Sequence, residues 1–186
     1  MGCVSLIFWP STVLKISDVL IIFSWYEHSW DRPSDEQVWE RFWPQLVADA
    51  ALIVDIADVP VQCGYDDTSP PLLSIESGIS LNGVWDEPDY YHATFIMGPS
   101  AYAGSCNTAG EPYDLVVATI LLRASVLMGD AFYFSSDGTW ENPRWQDARQ
   151  LFWKIWPDVE LPPELLPLGA FQDSDDGSTV EDEDSE

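Results

Sequence analysis

Asp114-Leu115-Val116-Val117-Ala118-Thr119-Ile120-Leu121-Leu122-Arg123-Ala124-Ser125-Val126-Leu127-Met128 is apolar on nearly every side when wound at 3.6 residues per turn. Such a helix has no face to offer water and is buried among other elements. Pro112 suits the first turn and Gly129 suits the end, so the stretch predicts a central helix over 112–128. Arg123 is the only charge within 115–128. A buried guanidinium requires a partner, and Asp137 or Asp130, close downstream, are the candidates for a structural ion pair.

Outward from this helix, Ala131 to Ser135 reads as a strand and Ser136-Asp137-Gly138 as a turn. Asn142-Pro143 caps a second helix over 143–156. In it Trp145, Ala148, Leu151, Phe152, Ile155 and Trp156 recur at three- and four-residue steps, and Pro157 closes it. Upstream, Ile79 to Trp85 and Tyr91 to Met97 predict a hairpin joined through Asp86-Glu87-Pro88-Asp89. Residues 60–74 and Gly98 to Gly110 read as loops. Ser34, with Gln37 three residues on, predicts a capped helix that Pro44 kinks or divides; Leu52 to Ile56 fits either strand or helix. Strand 91–97, helix 112–128 and strand 131–135 have the form of a β-α-β unit, which predicts a parallel pair in a small mixed sheet. The expected fold is one α+β domain over 1–157, followed by a Pro-rich strap at 158–172 and an acidic tail at 173–186.

Charge bounds the function. The 186 residues carry 32 acids against 7 cations, a net −25, together with 10 Trp, 8 Phe and 7 Tyr. The tail holds eight carboxylates, no cation and a single Val, a composition that cannot offset its ordering entropy and predicts disorder. Taking those eight charges from −25 leaves −17 on residues 1–172, so the body is acidic in its own right. Such a field repels nucleic-acid phosphates and attracts basic proteins. Setting Gly177 and Glu183 at the sixth and twelfth positions of a calcium loop leaves Asp176 as the only fitting ligand, so that pattern is rejected.

Cys3, Cys63 and Cys106 form no pattern with His28 and His92 that zinc would need, and reduced thiols in the cytoplasm or nucleus are the default. Pro10, Lys15 and Asp18 interrupt the apolar N-terminus, which therefore predicts no membrane span or signal peptide. Met1-Gly2-Cys3 lacks the Ser or Thr at position 6 that myristoylation wants, where Leu6 stands instead.

Glu111-Pro112-Tyr113-Asp114-Leu115-Val116-Val117, then Ser135-Ser136-Asp137-Gly138 and the Trp-rich helix, resembles the C-terminal half of uncharacterised proteins common in fungal genomes. The resemblance spans roughly residues 90–157 and implies an architecture but no chemistry.

Three chemical constellations bear on activity. Cys106 and His92 are the one conceivable thiol–imidazole pair. Gly98, Gly104 and Gly110 precede a helix start but lack the tight spacing and lysine of a phosphate loop. Asp86, Glu87, Asp89 and His92 cluster within seven residues, as hard-metal or acid–base chemistry requires, though solvated acids also collect in hairpin loops. Trp140 and Trp153 stand off the apolar helix face and are candidate interaction anchors. With no nucleophile elbow and no cofactor motif, the reading favours a non-enzymatic acidic module that binds a basic protein. A metal-assisted hydrolase built on residues 86–92 is the alternative, and a nucleic-acid mimic the third reading.

Overall fold

The structure, a computed structural model, describes residues 13–16, 19–22, 26–64, 69–84, 93–162 and 165. It is an α+β fold in the order β1 (Val13–Ile16), β2 (Val19–Ile22), β3 (Glu27–Asp31), α1 (Glu36–Ala57), β4 (Val61–Gln62), β5 (Leu72–Ser74), β6 (Gly78–Gly83), β7 (Phe95–Met97), β8 (Ala103–Asn107), α2 (Asp114–Met128), β9 (Tyr133–Ser136) and α3 (Pro143–Ile155). A single 3-10 turn, Gly129–Ala131, joins α2 to β9. The tail at 173–186, most of the strap and the acidic segment 85–92 lie outside the described residues.

The central helix is as the run of apolar residues demands. Val116, Val117, Ile120, Leu121, Leu122 and Ala124 are wholly buried, with α1 and α3 packed along α2. Trp39, Trp43, Leu46, Ala50 and Ile53 on α1, and Trp145, Ala148 and Phe152 on α3, complete that core. Asp35, not Ser34, caps α1, its carboxylate accepting from the Gln37 amide at 3.0 Å. Pro44 neither divides nor ends α1; it is solvent-exposed, where the carbonyl left without a helical donor can be hydrated. The helix continues through Leu52 to Ile56 and ends at Asp58, which adopts the left-handed conformation (φ 54°).

The expected hairpin forms, with β6 and β7 antiparallel and Ile79 opposite Met97 and Leu81 opposite Phe95. β4 and β5 each pair antiparallel with β6, so residues 60–74 are not all loop. The expected parallel pair does not form. β9 pairs with β3 rather than β7, and every strand pairing among the described residues is antiparallel. The sheet that receives β9 has the order β8-β3-β9. Its centre is a strand hidden in Tyr26-Glu27-His28-Ser29-Trp30-Asp31, where rings alternate with small or charged side chains. Tyr26, His28 and Trp30 are buried, and Glu27 and Asp31 are exposed, the period-two pattern of a sheet with one wet face. Gly104 on β8 is a seat for Trp30 rather than part of a phosphate loop: a Cβ there would come within 2.4 Å of the indole.

Arg123 finds its partner on α1 and not in the turn after β9. Its Nε donates to Asp49 Oδ2 at 2.6 Å, Gln45 donates to Asp49 Oδ1 at 2.8 Å, and the Trp156 ring lies 4.4 Å from the guanidinium. Asp137 instead accepts from the Glu27 amide at 3.0 Å and pins β9 to β3. The Arg123–Asp137 pairing is thereby corrected, because the helix side that carries Arg123 faces α1. Both partners are nearly buried, 12% and 7% exposed at the side chain. Arg123→Met should cost about 3–5 kcal/mol in urea unfolding, since it strands a buried carboxylate. Adding Asp49→Leu should restore most of that loss, whereas adding Asp137→Asn should restore none.

Candidate functional site

One cluster of buried polar groups sits at the start of α2. Asp114, 2% exposed, receives His28 Nε2–H at 2.8 Å and the Thr108 hydroxyl at 2.5 Å on the same oxygen, Oδ1. His28 stands edge-on to Tyr26 and Trp145, ring centroids 5.4 and 5.7 Å away. The Thr108 amide donates to the Tyr26 carbonyl at 2.9 Å. One carboxylate thus ties β3, the turn after β8 and the first turn of α2 together, where the helix dipole favours negative charge.

Cys106 lies beside this knot, directly opposite His28 across the β3–β8 pairing. Its thiol donates to the Ala93 carbonyl at 3.1 Å, and the Tyr113 hydroxyl, 4.0 Å from the sulfur, donates to the same carbonyl at 2.8 Å. Burial, with the Asp114 and Glu27 charges adding to it, pushes the thiol from 9.0 up to about 12, against a smaller opposing effect of the Tyr113 hydrogen bond. Burial likewise raises Tyr113 and Tyr26 well above the ordinary phenol range. Histidine, carboxylate, threonine and thiol together suggest a nucleophile and its base, but the geometry opposes that use. His28, Cys106 and Thr108 are fully buried, and the thiol is held as a neutral donor rather than a thiolate. The knot joins elements and is closed to solvent.

The sequence-derived constellations fare unevenly. Asp86, Glu87, Asp89 and His92 lie outside the described residues, as does the His92 half of the Cys106 pair. No group of three or more His, Cys, Asp or Glu side chains among the described residues is placed to hold a metal ion. Trp140 is half-buried, packed edge-on to Trp145 with ring centroids 4.5 Å apart, and so belongs largely to the core. Trp153 is 37% exposed.

The remaining feature is the distribution of charge. Arg32 donates to the Pro99 carbonyl at 2.9 Å, Arg144 to the Gly110 carbonyl, and Arg149 to the Trp140 carbonyl at 2.8 Å. Arg32 and Arg149 are buried, and Arg144 is half-buried over the Tyr26 ring. Burial pulls the Arg149 pKa below the usual arginine value, with the Glu141 charge opposing. With Arg123 on Asp49, four arginines are directed inward, three of them onto backbone carbonyls that carry no net charge. Among the residues whose burial is described, the exposed cations are Arg41 and Lys154. Exposed carboxylates stand at Glu27, Asp31, Asp35, Glu36 and Glu40, at Asp55, Asp58, Glu76 and Asp130, and at Glu141, Asp147, Asp158 and Glu160. Composition had shown the sign of the charge; the inward turn of the arginines has no local sequence signal, because their acceptors are mostly carbonyls far along the chain.

Comparison with family models, with curated proteins and with solved structures finds no match to this chain.

The raised Cys106 thiol has a consequence at alkaline pH. The unfolded chain loses this proton near 9.0 and the folded chain near 12, so stability falls as pH rises through that window. Cys106→Ser, whose hydroxyl does not titrate there, should remove about 1 kcal/mol of the stability lost between pH 9 and 10. Urea unfolding at the two pH values reads this; identical slopes for the two proteins would contradict the closed, neutral knot.

Proposed function

We propose that the protein is a non-enzymatic interaction module whose acidic surface docks a basic protein. The observation that carries the reading is the segregation of charge: four arginines sit inside on carbonyls and on Asp49, while among the residues whose burial is described the exterior presents many more carboxylates than its cations, Arg41 and Lys154. A partner's lysines and arginines would therefore meet a surface on which carboxylates outnumber cations. Attraction of this kind speeds encounter and suppresses acidic partners. The buried thiol and the inaccessible histidine support a binding role over a catalytic one. No helix among the described residues is long and apolar enough to cross a membrane.

The test is cross-linking in cells followed by measurement of the recovered complex at stepped salt. The expected partner is cationic, and its affinity falls by about tenfold or more between 50 and 300 mM salt, as the screening length drops below 10 Å. A neutral or acidic partner, or one indifferent to salt, contradicts the reading.

A further inference from the structure

Within that reading, on which this inference rests, we propose that the docking surface is the outer face of the β8-β3-β9 sheet, and that it takes an arginine-bearing segment of the basic partner. β3 presents Glu27, Ser29 and Asp31 outward while Tyr26, His28 and Trp30 go to the core. The register sets Ser105 and Ser135 on either side of Ser29, and Ala103 and Tyr133 on either side of Asp31. Directly opposed residues of antiparallel strands share a face, and the 2.7 Å contact between the Ser29 and Ser135 hydroxyls agrees. All of these side chains are exposed or half-buried, none is a cation, and the middle row is small enough for another chain to approach the sheet closely.

The charge on this face is complementary to a basic segment, and the end at Asp31 selects the kind of cation. Tyr133 is 45% exposed beside Asp31, and Tyr102, next to Ala103 in the chain, is 69% exposed. At the same end but on the opposite face, the Tyr102 ring carries the chain's own arginine: the Arg32 guanidinium lies 4.2 Å from its centroid, and the Arg32 amide donates to the Tyr102 carbonyl at 2.8 Å. The Arg32 side chain is held from below by the Pro99 carbonyl and lies 3.7 Å from Glu36, so the stack is fixed in place. The Tyr133 ring, directly opposite Asp31 and on the same face, leaves area for a planar cation, with Asp31 available to pair with it. A guanidinium satisfies both stacking and bidentate pairing, and an ammonium only the charge. Asp35 and Glu36 continue the acidic surface beyond this end, so a segment longer than one residue stays in a negative field.

The probe is a deca-arginine peptide titrated at low salt into the ¹⁵N-labelled full chain, with a deca-lysine peptide in parallel. The expected result is that amides of residues 27–31, 102–105 and 133–136 saturate at the lowest arginine-peptide concentration, ahead of the acidic tail. Asp31→Asn and Tyr133→Ala should each weaken this phase about fivefold, and the lysine peptide should bind it more weakly than the arginine peptide. Asp55→Asn with Asp58→Asn, at the far end of α1, should leave it unchanged. First saturation on another face, equal binding of the two peptides, or wild-type affinity in both single variants overturns the assignment while leaving the acidic-module reading intact. Failure of both peptides to bind overturns the assignment and the acidic-module reading together. Melting curves of the two variants, expected to match wild type because both side chains are exposed, confirm that any loss is one of binding.

Discussion

A helix that is apolar on every side must be enclosed on every side, and its few polar positions must then be answered from within. That constraint organises this molecule. α2 carries Asp114 at its first turn and Arg123 in its middle, and each draws a different part of the chain against it. Asp114 holds His28 and Thr108, which fixes β3 and the turn after β8 at the helix's N-terminal end. Arg123 holds Asp49, which sets how α1 lies along it. Leaving either charge alone would cost several kcal/mol, a large share of the stability of a domain this size.

The same economy shapes the surface. Arg32, Arg144 and Arg149 are each directed onto a backbone carbonyl, closing the ends of loops that no sheet or helix satisfies. These arginines are thereby withdrawn from the exterior, and the carboxylates outside keep few local counter-charges. The stability of the interior and the acidity of the exterior are two results of one arrangement. The buried thiol of Cys106 fits it as well, a small neutral donor packed beside the Asp114 knot.

Much of the fold could be read from periodicity. The expected helix over 112–128 is Asp114–Met128, that over 143–156 is Pro143–Ile155, and the 79–97 hairpin is present. What was missed follows from physical causes. β3 escapes notice because only Trp30 and Tyr26 among its inward residues are apolar, His28 being inward to meet Asp114. β8 is built of Ala103, Gly104 and Ser105, which resemble loop residues until Trp30 is seen to pack on Gly104. The parallel pair fails because chain order places α2 between β7 and β9, yet β3, far upstream, supplies the strand that β9 pairs with. Arg123 was expected to find a nearby aspartate, but its partner lies 74 residues away on α1. The charge of the site was legible in composition; its exposure was not, because that depends on where the arginines point.

The inward turn of the arginines is therefore the claim on which the rest depends, and the guanidinium ¹⁵N–¹H spectrum of the five arginines, Nε and Nη together, measures it directly. Arg32, Arg123, Arg144 and Arg149, held by carbonyls or by Asp49, should give dispersed resonances that exchange slowly with water, while exposed Arg41 gives one averaged, rapidly exchanging signal. Five signals collapsed at the position of a free arginine side chain would contradict the account.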